Sequence, residues 1–203
     1  LGYEIWVTPE SALYLWDRLF EAGRQLGLRP FGNVALNWAR VEAGFLMAGA
    51  DFVSAETALR SDRPRTAIEL GFDWMIDFDR GQFNGRESLM KERQGKTSRS
   101  RLVGLDVDGN IPAEQALLYF KRGYDRWFEA GHVTAAMWSP TLKRNIALAT
   151  LNRISGIDDF DDLWAEIYVL RELGWHKMMV KVRVCDRPFL KLTRRTATPP
   201  SRA

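Results

Sequence analysis

The sequence predicts an α+β fold in which a helical N-terminal region leads into a small antiparallel β-barrel. Three observations predict it. Before residue 94 the apolar residues recur at three- and four-residue spacing, the period of an amphipathic helix. After residue 100 they alternate or cluster in short runs separated by Gly, Pro, Asn and Ser, as in a barrel or sandwich. Between the two, 94–101 is a polar, loop-like stretch that divides the chain into 1–94 and 95–203.

Residues 1–7 read as a strand, because Tyr3, Ile5, Trp6 and Val7 are types that a pleated sheet favours. That strand is already under way at its first residue and has no initiator methionine, so a preceding segment is expected. Thr8 and Pro9 make a helix entry, and Leu13, Trp16, Leu19, Phe20 and Gly23 keep helical spacing until Gly27 stops it. Asn33 is placed to cap a second helix with Val34, Leu36, Trp38 and Val41 on its apolar side, ending in the small-residue segment 43–50. The aromatic stretch 70–78 breaks at Gly81, and Asn84 and Gly85 introduce a short helix over 86–92 with Leu89 facing inward.

Beyond the boundary, 101–107 alternates as a strand and 108–110 has turn chemistry. Segments 132–137, 145–151, 164–170 and 178–184 are further strands, with Val103, Leu105, Val133, Ile146, Leu148, Val180 and Val182 expected inward. Residues 117–127 read only as an aromatic extension. No repeat or low-complexity tract interrupts this plan.

Composition excludes several functions. The chain has 203 residues, 46% of them hydrophobic and 12% aromatic, which suffices for a packed core. Its 29 basic and 26 acidic residues leave a formal charge of only +3, too even for a nucleic-acid partner. The basic stretches 91–101 and 191–195 read as solvated loop or tail. Cys185, the single cysteine, forms no internal disulfide and has no histidine at ligand spacing, so no metal site is expected. No run of 18 apolar residues and no signal peptide are present, which predicts a soluble cytoplasmic protein with no membrane partner. His132 and His176 have no serine, cysteine or carboxylate at a telling spacing, and Gly44–Gly49 lacks the lysine and hydroxyl of a phosphate loop.

What does stand out is an ordered series of short segments. It runs from Gly2–Trp6 through Arg40, Val41, Glu42, Ala43 and Gly44 to Asp51, then Asp77 and Phe78, then Phe83, Asn84, Gly85, Arg86 and Glu87. It finishes with Gly131, His132, Val133 and Thr134, Ser139 to Leu142, and Asn145 to Ala149. In order and spacing this series resembles the glycine-cleavage T-protein (aminomethyltransferase) and tetrahydrofolate-dependent demethylase superfamily, over residues 2 to about 189. The resemblance implies that 1–94 is the C-terminal part of a folate-binding aminomethyltransferase-like domain and that 95–203 is the C-terminal β-barrel and tail. It also implies a one-carbon transferase with tetrahydrofolate as cofactor and a small-molecule methyl donor as partner.

The resemblance assigns residues as well. Glu4 matches the glutamate that binds the pterin ring, and a carboxylate does take two hydrogen bonds from an aminopyrimidine edge in a fork; without the flanking match it would read as a solvent-facing strand residue. Glu42 reads as structural, in an Arg–Glu network with Arg40 that closes the helix end. Five residues before Val41, where the T-protein has an arginine that contacts folate, this chain has Leu36. Trp38, close by, offers either a face for a pterin or aromatic donor or an ordinary core side chain.

The endings near 117–127 and 163–199, with Trp164, Tyr168, Trp175, Pro188, Phe189, Arg194, Arg195, Thr198 and Pro199, look more like the branch that demethylates aryl methyl ethers such as vanillate. That chemistry needs a donor to the leaving phenolate, for which Tyr3 and Arg40 are the candidates, and the two join Glu4 and Trp38 as the expected cofactor-binding residues. The aspartate that organises aminomethyl transfer in the T-protein belongs to an N-terminal half with no counterpart here. Catalytic residues are therefore expected outside this chain, on the same or a separate polypeptide. Glycine-cleavage aminomethyl transfer and a non-catalytic, folate-binding regulatory protein are the alternatives.

Overall fold

The structure is a computed structural model that describes residues 3–60, 63–123, 126–153 and 162–192. Arg194, Arg195, Thr198 and Pro199, used above for the demethylase-like ending, lie outside the described residues. The chain divides into two compact units, Leu1–Leu36 and Asn37–Ala203.

The first unit is built around α1 (Ala12–Gly23), entered through a 3₁₀ turn at Pro9–Ser11. After α1 a 3₁₀ turn over Arg24–Leu26 carries the chain to Gly27. Gly27 takes the left-handed conformation at φ 73°, its N–H bonds the Arg24 carbonyl, and the Leu28 N–H reaches back to the Gly23 carbonyl. On the helix surface the Trp16 and Phe20 rings meet at 4.6 Å, the i,i+4 contact set by helical geometry.

Residues 3–7 form no strand. Their β-favouring composition is a preference for a half-buried pleated surface, and among the described residues no second strand supplies one.

In the second unit, the last residues of α2 (Asn33–Glu42), the turn-rich segment that follows and α3 (Arg86–Gly95) precede the barrel. Its strands are β1 (Ser100–Val107), β2 (Leu117–Arg122), β3 (Arg126–Ser139), β4 (Arg144–Asn152), β5 (Leu163–Arg171) and β6 (Gly174–Cys185). All neighbours are antiparallel, and the order β1-β4-β3-β2-β5-β6 closes on itself through the β1–β6 pairing of Leu105 with Val184. The α+β class and the small antiparallel barrel expected from the sequence are thus both present. β2 is an added strand, lying in the stretch read above as an aromatic extension.

Two apolar clusters hold this unit together. Val103, Leu105, Val107, Leu118, Val133, Ala147, Ala149, Leu151 and Val182 fill the barrel, with Val180 packed against them. Leu102, Met137, Ile146 and Leu148 lie on the other face of the same strands, where they meet Val41, Leu70 and Phe189. Ile146 and Leu148 are therefore buried, but outside the barrel and not inside it. The reason is the period of two: every residue from Asn145 to Leu151 is buried because both faces of β4 are covered, so the run of apolar residues does not reveal which face is which.

Candidate functional site

Among the described residues, three buried carboxylates of the pre-barrel segment are each satisfied by named donors, and two of them, Glu42 and Asp51, reach strand β3. Glu42, at the end of α2, accepts hydrogen bonds from the Ser139 hydroxyl at 2.5 Å and the Thr141 hydroxyl at 3.2 Å. Asp51 is ion-paired with Arg40 and accepts from the Met47 N–H and the Thr134 hydroxyl, both at 2.8 Å. Glu69 accepts from the Arg99 N–H at 2.8 Å and from its side chain, and Thr66 adds a further N–H. Burial pushes the Glu69 carboxyl up, but these hydrogen bonds and the Arg99 charge more than offset that and hold it below its ordinary value.

The expected Arg40–Glu42 network is thus two separate ones. Residues two apart on a helix point to opposite sides, so one side chain turns to the loop and the other to the barrel. Arg40 orders that loop: its Nη1 also bonds the Phe45 carbonyl, its Nε bonds Asn37, and its own carbonyl accepts the Phe45 N–H.

The loop so ordered forms one wall of a cleft of about 480 Å³ lined by Phe45, Leu46, Phe72, Trp74, Met75 and Arg187, among others. That size and mixture of aromatic lining with a single cation is what small-molecule sites use. Backbone at Gly44 and Gly71 brings the walls close. A Cβ at Gly71, whose φ is +72°, would stand 2.7 Å from the Arg187 guanidinium. Arg187 donates from Nη2 to the Leu70 and Leu102 carbonyls at 3.0 and 3.2 Å. Burial lowers its pKa, only partly countered by the field of Asp51.

Comparison with known families decides what this arrangement belongs to. The family model for the GCVT N-terminal domain matches residues 1–80, and that for the glycine cleavage T-protein C-terminal barrel domain matches 100–191. The chain belongs to the glycine-cleavage T-protein superfamily. The aminomethyltransferase of Caldanaerobacter subterraneus subsp. tengcongensis is 31% identical over 94% of this chain and 45% of its own length. A trimethylamine-oxide aldolase of Ruegeria pomeroyi is 34% identical over 75% of this chain and 18% of its own. Among solved structures, the glycine cleavage system aminomethyltransferase T of Bartonella henselae superposes with a TM-score of 0.66 at 18% identity, covering 89% of this chain and 44% of its own, a likeness of fold. The chain spans about half the length of the aminomethyltransferase relatives, or less.

Within this T-protein superfamily member, Tyr3 and Glu4 belong to the first unit and are exposed. Trp38 and Arg40 belong to the second, Trp38 with 41% of its surface open and Arg40 held by Asp51. His132 sits on β3, its pKa lowered by burial and by the Arg65 charge. Sequence reasoning gave no role to Asp51, Ser139 or Thr141, although all three stand in the ordered series, and it missed Glu69 and Arg187 altogether. Nothing marks Arg187 in the sequence except its place before Pro188 and Phe189. No helix among the described residues is long and apolar enough to cross a membrane.

Proposed function

We propose that this chain is part of a tetrahydrofolate-dependent one-carbon transferase that moves a methyl group from a small donor, an aromatic methyl ether, to the folate. The observation that carries the reading is the pair of T-protein superfamily matches, in order, across most of the chain. Residues 1–94 complete the folate-binding region and 95–203 form the barrel domain and tail. A further N-terminal half, on the same or a separate polypeptide, completes the site, in keeping with relatives about twice as long. Tetrahydrofolate, when bound, supplies the nitrogen that accepts the carbon.

The side chains present suit such a group. Glu4 is an exposed carboxylate that takes the aminopyrimidine edge of the pterin in a fork. In the first unit Tyr3 is an exposed phenol, the kind of donor a leaving oxygen needs; in the second, Trp38 offers a partly open indole face for stacking. Arg40 contributes by holding the loop from Phe45 to Asp51, since its guanidinium is already engaged there. An aromatic donor suits the Phe45, Phe72 and Trp74 lining of the cleft.

A second reading, aminomethyl transfer or another amine-borne one-carbon unit, is favoured by the names of the relatives, aminomethyltransferases and a trimethylamine-oxide aldolase. The two are separated by incubating the intact protein with tetrahydrofolate and, in turn, vanillate, a sulfonium compound or an aminomethylated lipoyl carrier. Formation of 5-methyl-tetrahydrofolate from vanillate supports the first reading. Exclusive formation of the methylene product from the lipoyl carrier removes it in favour of the second, and folate binding without transfer from any donor points to a regulatory protein.

A further inference from the structure

Arg187 is the only charged side chain among the described residues that line the 480 Å³ cleft, and no carboxylate among the described residues pairs with it. Among the described residues the acid whose field reaches it is Asp51, already bound to Arg40, Met47 and Thr134. Its two carbonyl partners are both held by Nη2, which leaves Nε and Nη1 for another acceptor. A partly desolvated cation gains most from an anionic acceptor, because neutral carbonyls satisfy its hydrogens without balancing its charge.

The walls around it are flat or soft and apolar. Phe45, Trp74 and Met75 keep 61%, 77% and 65% of their surface open, so the cleft offers ring faces beside one fixed positive charge. Gly71 leaves the space next to the guanidinium unfilled, and Gly44 lets its backbone approach Pro188 and the Arg187 stem.

We propose that Arg187 anchors the carboxylate of an acid that bears an aromatic ring, the ring lying against the Phe45, Trp74 and Met75 walls. The site itself stands on these contacts; only the identity of the ligand rests on the one-carbon transferase reading. Two molecules of that reading have this chemistry: an aryl methyl ether that also bears an acid group, and the benzoyl-glutamate end of the folate.

The test is calorimetric titration of the intact protein with 4-methoxybenzoate and with 4-aminobenzoyl-glutamate, each against its neutral amide. Roughly tenfold or greater preference for an acid over its amide is expected, and the acid that shows it identifies the source. Arg187→Met should abolish that preference and Arg187→Lys should keep part of it. Equal binding of acid and amide in both pairs, or a preference that survives in a folded Arg187→Met protein, would overturn the proposal. If Arg187→Met does not fold, for want of its bonds to Leu70 and Leu102, the acid-against-amide comparison on the unaltered protein and Arg187→Lys decides. A protein that transfers carbon from no donor yet shows this Arg187-dependent preference loses the transferase reading and keeps the site.

Discussion

Replacing Asp51 by alanine should destabilise the second unit by about 3 kcal/mol. The carboxylate is fully buried while its partner Arg40 keeps 10% of its side chain open. Removing one member of a buried pair costs about 3–5 kcal/mol, mainly by leaving the other charge uncompensated. Arg40 retains its bonds to Asn37 and the Phe45 carbonyl, which places the effect at the lower end. The Met47 N–H and the Thr134 hydroxyl also lose an acceptor, although Thr134 can still donate to the Leu148 carbonyl at 3.2 Å.

Asp51→Asn is the informative companion. It keeps one carbonyl oxygen for Met47 and Arg40 and can donate to Thr134, so about 1–2 kcal/mol is expected. Urea unfolding followed by circular dichroism measures both variants, and a double-mutant cycle with Arg40→Met isolates the pair. An alanine cost below about 1 kcal/mol, or a coupling energy indistinguishable from zero, would refute the view that this pair holds the loop.

Four further outcomes are expected. Glu69, with its carboxyl held low, contributes stability that is present above the unfolded pKa of an ordinary glutamate and is lost as pH falls through the lower folded value. Glu69→Gln should therefore flatten the acid limb of the stability–pH curve, and an unchanged limb would show that another group sets it. Gly131→Ala places a Cβ against the Thr150 carbonyl oxygen of the neighbouring strand at φ +153°, so about 1–3 kcal/mol or more of destabilisation is expected in a thermal melt. Gly109→Ala, at φ +84° but with open space around the added carbon, should cost less. Glu4→Ala should weaken tetrahydrofolate binding by about tenfold or more, and unchanged affinity in a folded variant would take Glu4 out of the site.

The sequence revealed the parts whose signal is local. β6 alternates Val180, Val182 and Val184 against Lys181 and Arg183, and Gly27 stands where a left-handed residue closes the 3₁₀ turn after α1. It misled where the signal depends on what lies opposite. The β-favouring residues 3–7 have composition but no ladder, and the unbroken run on β4 hides which of its faces looks into the barrel. The site was less legible still, because its decisive contacts join distant residues: Asp51 to Thr134, Glu42 to Ser139, Arg187 to Leu70. No periodicity encodes such pairs; only the ordered series of segments hinted that some of those positions mattered.

Closure of the six-stranded ladder has a consequence for how the molecule behaves in a crowded solution. A strand at the rim of an open sheet offers its unsatisfied N–H and C=O groups to any passing chain, and natural sheets must guard that rim with charge, proline or a covering helix. Here β1 and β6 guard each other over Gly104–Val107 and Val182–Cys185, the four pairs that close the barrel. Side chains such as Leu173 and Trp175, each with most of its surface in water, offer a second route to self-association. Surface aromatics of that kind are open to single substitution without touching the strand register, so solubility and fold can be tuned separately in this protein.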